Sequence, residues 1–403
     1  MLNFFNQLQQ WFRFFKPVLF LIFPILVSRE DVQAQDEFDR FRQQQQQAQE
    51  QFTQQYLQQY NAFVEADQAA FARFKEEVEK QWGEYIGSTR KDWVEYSEDL
   101  QRRSRVDFEH GQAQVEVLLE TSEDEARDKL KDAVVALISD EGTSADYEVM
   151  LPDSSEDAPQ PLDTAPILQD QVADQDGVPV TPEKADAFAQ DVVQSNKVVF
   201  TTITGKDGRE RMKATATFSL VPDHLKKRAE RYLPTIREYA KRYDVDVPLV
   251  CAVIHTESFF NPKARSPVPA LGLMQLVPKS GGREAYRFVY KADRILPPSY
   301  FYNPKQNIEL GSAYLHLLRY RFFAEVEDDQ KAQLCVIAGY NTGPGNVSRA
   351  LTGEGLVNAA LPIIANLKWD KLYQHLKESL PYKETRDYLV KVLERISLYE
   401  AWR

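Results

Sequence analysis

The run Val247-Pro248-Leu249-Val250-Cys251-Ala252-Val253-Ile254 is almost wholly apolar and leads directly into His255-Thr256-Glu257-Ser258. Asp246 and Pro248 mark a helix start, as N-cap and first-turn proline. On that helix Leu249, Val253 and Glu257 lie four residues apart and share one face, which Val250 and Ile254 widen. Glu257 therefore occupies a position that the pattern assigns to the core. Burial penalises the ionised form, so such a carboxyl keeps its proton to higher pH. A protonated glutamate at a cleft wall is a general acid. The same residue at a frayed helix end is an ordinary solvated carboxylate, and this stretch alone leaves both readings open.

Other catalytic constellations are missing from the sequence. The five histidines, His110, His224, His255, His316 and His375, form no His-Glu-x-x-His pair, and no Cys/His cluster has metal spacing. No metal and no cofactor is expected. His255 points to a different helical face from Glu257 and reads as an ordinary helix residue. There is no Gly-x-Ser-x-Gly elbow and no phosphate loop. Asp174-Gln175-Asp176-Gly177 has the start of a calcium loop without the later ligands and reads as linker. Cys251 and Cys335 both sit in apolar helical contexts, as a pair or as two buried thiols.

The 403 residues carry a net charge of −12, unevenly spread. Residues 221–403 hold 27 Lys and Arg against 20 Asp and Glu, a net of +7, which leaves −19 for the rest. A basic second half suits an anionic partner. The cations form no dense run and no reading motif, so nucleic acid is not expected and an anionic carbohydrate polymer fits. At the N-terminus Arg13 and Lys16 precede an apolar stretch from Pro17 to Val27, with a cleavage site after Ala34. Residues 1–34 read as a secretory signal peptide, which places the mature chain in the periplasm. The apolar stretch is shorter than the roughly 20 residues of a membrane-spanning helix. The aromatic residues from Phe4 to Phe15 keep peripheral membrane association as an alternative. No cysteine near the N-terminus is available for lipid attachment.

The elements that must position Glu257 follow from periodicity. Beyond the run Gln43–Gln47, the residues Phe52, Tyr56, Tyr60, Phe63, Phe74, Val78 and Trp82 form an amphipathic helical stripe, broken near Gly83 or Gly87. Val106 to Leu119 reads as strand, turn and strand with Phe108, Val115 and Val117 inward. Glu125 to Ile138 has helical spacing. Residues 141–186 hold eleven or more acidic residues, one basic residue, Lys184, and scattered prolines, which predicts a solvated linker. Val198–Ile203, an Asp-Gly turn and Ala214–Leu220 form a second hairpin. Residues 35–221 thus predict an α+β accessory domain with no chemistry of its own. From 222 to 403 the pattern is helical, with helices over 223–243, 247–258, 306–324, 329–340 and 384–400. That second domain is large enough to fold alone.

Five motifs follow one another in this helical half: Glu257-Ser258, Gly272-Leu273-Met274-Gln275, Asn303-Pro304-Lys305-Gln306-Asn307, Gly339-Tyr340-Asn341-Thr342-Gly343, and Pro381-Tyr382-Lys383-Glu384-Thr385-Arg386-Asp387-Tyr388. In order and rough spacing they resemble the catalytic domain of the lytic transglycosylases, which has a lysozyme-like all-α fold. Trp82-Gly83-Glu84-Tyr85, Val94-Glu95-Tyr96-Ser97, Val106-Asp107-Phe108-Glu109 and Val115-Glu116-Val117-Leu118 are similar to the accessory domain of the C-type membrane-bound lytic murein transglycosylases. The fold class implied is mixed: an N-terminal α+β accessory domain followed by an all-α lysozyme-like catalytic domain.

The resemblance implies cleavage of the β-1,4 bond between N-acetylmuramic acid and N-acetylglucosamine in peptidoglycan, leaving a 1,6-anhydromuramoyl end. It assigns Glu257 as sole acid and base, assisted by the substrate's acetamido group, and no second carboxylate is expected at the cleft. Ser258 would bond Glu257 or substrate, and Gln275 would bond sugar. Met274 would pack beside the sugar or in the core. Tyr340 would line the cleft, with Asn341 beside it or merely capping its helix. The Tyr388 hydroxyl would reach Glu257 or sit as a half-buried core tyrosine. Two positions depart from the family pattern. Ser266-Pro267-Val268-Pro269-Ala270 makes a stiffer loop, and Thr342 stands where Ala or Gly is usual; neither is expected to touch the chemistry. Peptidoglycan strands are the partner implied, with cell-wall proteins as candidates for the accessory domain. A goose-type lysozyme-like hydrolase and an inactive wall-binding scaffold are the rival readings.

Overall fold

The computed structural model describes residues 68–119, 123–139, 144–145, 166–194, 198–266 and 270–403, with isolated helical positions between 40 and 66. The chain divides into two compact units, 1–61 and 62–403. The expected leader over 1–34, most of the glutamine-rich stretch and Pro267, Val268 and Pro269 lie outside the described residues.

Within 62–403 the first element is a helix over 68–82, α1. Six strands follow in chain order: β1 (Asp92–Ser97), β2 (Arg102–Asp107), β3 (Gln112–Leu119), β4 (Ser144–Ala145), β5 (Val199–Thr204) and β6 (Glu210–Ser219). They form one antiparallel sheet in the order β4-β1-β2-β3-β6-β5. Helices α2 (Glu123–Ser139) and α3 (Ala185–Gln194) interrupt the strands. The period-2 alternation sorts the sheet residues. Ala113, Val115, Val117, Leu119, Ala214, Ala216 and Phe218 pack against α2 and α3. On the other face Tyr96 and Leu118 meet Phe74, Val78 and Trp82, four residues apart along α1. There Arg103 donates from Nε to Glu116 at 2.6 Å, and Lys213 reaches the other Glu116 oxygen at 2.8 Å. Phe108, Val115 and Val117 are inward, as the sequence predicts.

The linker expected over 141–186 is overturned from residue 166 onward, while 141–143 and 146–165 lie outside the described residues. From 166 onward the chain is ordered, with Ile167, Leu168, Val172 and Val180 buried. Four apolar side chains without helix or strand period are enough to dock a segment whose backbone turns satisfy themselves. Asp174 caps one such turn, accepting from the backbone N–H of Asp176 and Val178 at 3.0 and 2.8 Å. No cluster able to hold a metal exists among the described residues.

The helical part contains α4 (His224–Arg242), α5 (Val247–Ser258), α6 (Gly281–Tyr290), α7 (Pro298–Tyr302), α8 (Pro304–Leu317), α9 (Asp329–Thr342), α10 (Pro344–Thr352), α11 (Val357–Asn366), α12 (Trp369–Ser379) and α13 (Lys383–Ile396). One core joins them. The predicted long helices are present, but those expected over 306–324 and 384–400 leave the α form at Leu317 and Ile396 and continue as a π-helical turn over Leu318–Phe322 and a 3₁₀ turn over Ser397–Trp402; α6, α7, α10, α11 and α12 are additional. Both cysteines are free buried thiols within this core.

The sheet and the helices share an interface inside the 62–403 unit. Arg228 of α4 is 2% exposed. Its guanidinium lies 3.7 Å from the Phe108 ring centroid. It donates to the Phe259 carbonyl and to Gln171 Oε1, both at 2.9 Å. Two hydrogen bonds and an aromatic face offset the desolvation of a cation, which still pushes its pKa down to about 9.

Candidate active site

Helix α5 has no solvent face. All its residues but Val247 and Thr256 are buried, so it runs through the core. Asp246 sits at its N-cap position and directs its carboxylate to Arg403. At the other end Phe259 and Phe260 turn left-handed, with φ of 51° and 60°. Left-handed backbone costs a non-glycine residue about 1 kcal/mol or more. Here Phe259 packs into the sheet core and Phe260 into the helical core. This sharp stop leaves Glu257 in the last helical turn, 4% exposed, at the wall of a cleft of about 490 Å³.

Burial pushes the Glu257 carboxyl up to about 7; Arg90 and Tyr388 pull against this, and Glu384 adds to it. The negative end of the helix dipole also disfavours the carboxylate. The group is thus half-protonated near neutrality, as proton donation and return both require.

A loop over 271–276 forms the facing wall. Gly272 has φ +73°, and a Cβ there would meet the Phe301 carbonyl oxygen at 2.1 Å. Gln275 also takes a left-handed φ of 48°. Its Nε2 donates to Ala264 and Gly272 carbonyls at 2.9 and 3.0 Å, its buried Oε1 has no partner, and the residue lines the cleft. Beneath the loop Asn307 of α8 is fully buried. Its Oδ1 accepts from the Met274 N–H at 2.7 Å, and its Nδ2 donates to Leu271 and Phe301 carbonyls at 2.9 and 2.8 Å.

The structure divides the residues named from sequence. Glu257, Gln275, Tyr340 and Asn341 line the cleft. Tyr340 donates to the Met274 carbonyl at 2.8 Å, and Asn341 Oδ1 accepts from Thr385 at 2.7 Å. Tyr388 is buried beside Glu257. Its hydroxyl has no hydrogen-bond partner of good geometry, yet lies near enough for each group to shift the other's pKa. Ser258 and Met274, expected to bind sugar or to pack beside it, are not among the residues that line the cleft. Ser258 is fully buried and donates to the Leu273 and Ile254 carbonyls, at 2.7 and 3.1 Å, tying α5 to the loop. Met274 is fully buried too, with its sulfur where a Cβ on Gly311 would stand. His255 is also core: its Nδ1 lies 3.0 Å from the Tyr399 hydroxyl, and burial pushes its pKa down to about 3.

Two further expectations change. Thr342, read as remote from the chemistry, lines the cleft. A second carboxylate does lie there: Glu384, in the first turn of α13, paired at 2.9 Å with Arg90 from the sheet part. Neither Arg90 nor Asn307 was assigned a role from sequence. Asn307 stood within a quoted motif; Arg90 follows a turn signal and carries no motif.

Residues 234–360 match the family model for the transglycosylase SLT domain, and 46–231 match that for the N-terminal domain of membrane-bound lytic murein transglycosylase C. The membrane-bound lytic murein transglycosylase C of Klebsiella pneumoniae subsp. pneumoniae is 33% identical over 79% of this chain and 85% of its own length. That of Pectobacterium atrosepticum is 32% identical over 79% and 86%. The chain belongs to the membrane-bound lytic murein transglycosylase C family. It is a lytic murein transglycosylase, a lyase that degrades peptidoglycan. Among solved structures, the 70 kDa soluble lytic transglycosylase of Escherichia coli aligns at 26% identity with a TM-score of 0.34, over 45% of this chain and 26% of that one. No helix among the described residues is long and apolar enough to cross a membrane, although relatives in this family are named membrane-bound.

Proposed function

We propose that Glu257 is the single acid and base of the transglycosylase reaction, which leaves a 1,6-anhydromuramoyl end. The observation that carries this is a carboxyl only 4% exposed, at the end of a buried helix and in the wall of a cleft, where burial pushes its pKa up to about 7. Protonated Glu257 gives its proton to the glycosidic oxygen as the bond to C1 breaks. The substrate's acetamido oxygen stabilises the sugar cation. The Glu257 carboxylate then takes the C6 hydroxyl proton as that oxygen bonds C1, which restores the acid. Glu384 is unsuited to be a paired nucleophile, since its side chain is 64% exposed and engaged by Arg90.

Gln275, Tyr340 and Asn341 line the cleft and are the sugar-binding residues of this reading, and the Gln275 side chain keeps an acceptor, Oε1, with no partner in the protein. Peptidoglycan strands are the substrate and the periplasm is the compartment, in keeping with the relatives' name and the expected leader. The accessory part ends near 221, between β6 and α4. Mass spectrometry of fragments released from purified peptidoglycan tests the reading beside Glu257→Gln. Anhydromuramoyl ends from wild type alone are expected. Fragments heavier by one water would make the enzyme a hydrolase, and full activity of Glu257→Gln would remove the assignment.

A further inference from the structure

Arg90 lies 167 positions before Glu257 in the chain, in the turn that opens β1, yet it lines the same cleft. The turn is built into place. Thr89 accepts from the backbone N–H of Lys91 and Asp92 through Oγ1, at 3.1 and 3.0 Å. Asn261, four residues beyond Glu257 and fully buried, donates from Nδ2 to the carbonyls of Thr89 and Asp92, both at 3.2 Å. Lys91 sits over the Phe259 ring at 5.6 Å. The segment that ends the catalytic helix therefore grips the segment that carries Arg90. At the cleft Arg90 Nη1 donates to Glu384 Oε1 at 2.9 Å. Glu384 lies one helical turn before Tyr388, so both project from the same face of α13.

We propose that Arg90 is a positioning residue for the catalytic acid: with Glu384 it forms an opposed charge pair, supplied by two different parts of the fold, that sets how readily Glu257 holds its proton. This rests on the reading of Glu257 as the acid. The charged and titratable groups that line the cleft with Glu257 are Arg90 from the β1 turn, Tyr314 from α8, Tyr340 from α9, and Tyr382 and Glu384 at the start of α13, with Tyr388 of α13 buried beside Glu257. On its own helix His255 faces Tyr399 instead. Arg90 is the cation of this set. Its charge favours the carboxylate and eases proton donation, while Glu384 limits that effect. Glu257 thus keeps enough proton to act and enough acidity to give it up. Docking of the sheet part is in this way coupled to the chemistry.

The test is the pH profile of kcat/KM on solubilised peptidoglycan strands for full-length wild type, Arg90→Gln, Arg90→Lys, Glu384→Gln and the double variant. Activity needs protonated Glu257, so it falls on the alkaline limb. Arg90→Gln moves that limb up by roughly half a pH unit, and Glu384→Gln moves it down by a similar amount. Arg90→Lys keeps the wild-type limb, and the double variant returns close to it. A merely structural Arg90 would scale kcat/KM equally at every pH, and that outcome overturns the proposal. If Arg90→Gln does not fold, an unmoved limb in Glu384→Gln overturns it alone. Glu257→Gln is run alongside: its activity would sink the acid assignment, whereas its inactivity with unmoved limbs would sink only the role of Arg90.

Discussion

The Tyr340 hydroxyl donates to the Met274 carbonyl at 2.8 Å and so fastens helix α9 to the loop that presents Gln275. Both partners are buried, and Tyr340 in turn stands beside Glu257. With the Ser258 bond to the Leu273 carbonyl, it ties the helices beside Glu257 to this loop.

Tyr340→Phe keeps the ring and removes this bond, leaving a buried carbonyl without its donor. The expected cost is about 1–2 kcal/mol in urea unfolding. Activity should fall with the loop's order. Wild-type stability in the variant would show that the carbonyl finds another partner.

Glu257 links stability to pH. Its pKa is raised from 4.5 to about 7, so the folded state binds the proton more tightly than the unfolded state. Stability from this group is full below about pH 4.5 and is lost as pH rises through about 7. The whole effect is about 3 kcal/mol. Glu257→Gln should therefore be more stable than wild type at pH 8, with the gain shrinking towards pH 4. Melting curves of both proteins across that range check the sign, and a constant difference would contradict it.

Gly272 and Gly353 both have positive φ, +73° and +81°, but differ in surroundings. A Cβ on Gly272 meets the Phe301 oxygen at 2.1 Å and Asn307 Nδ2 at 2.5 Å; one on Gly353 meets nothing within 4 Å. Gly353→Ala should cost about 1 kcal/mol of left-handed strain and leave activity intact. Gly272→Ala should cost several times that and displace the Gln275 loop. Thermal melts and assays of the two variants give the comparison.

Asn307→Asp is nearly isosteric but loses the two N–H bonds to the Leu271 and Phe301 carbonyls. Two buried acceptors are left facing a carboxylate, so a loss of roughly 2–5 kcal/mol is expected. Chemical denaturation measures it, and a loss below about 1 kcal/mol would show that Asn307 is not the loop's support.

Cys251 and Cys335 are buried, and desolvation pushes both thiols up to about 12. A thiol-reactive dye should label neither in native protein and both in denaturant. Fewer than two labels after denaturation without reductant would reveal a disulfide.

The sequence by itself determined the parts that rest on local periodicity. An apolar helix ending in Glu257 puts that carboxyl on a core-facing stripe, and the tertiary structure decided that it is buried rather than solvated at a frayed end. Alternating Val115 and Val117, and the Asp-Gly turn before β6, dictate the hairpins. What it did not determine is which side chain faces which neighbour. Helix α5 is buried all round, so its pattern could not place Ser258 behind the cleft, against Leu273, rather than in it. Met274 and Gln275 are adjacent in a loop, where the left-handed backbone at Gln275, not any period, sends one to the core and one to the cleft wall. Arg90 and Glu384 are 294 residues apart. Their meeting depends on how Asn261 and Arg228 dock the sheet on the helices, and long-range packing of this kind leaves no spacing in the sequence to read.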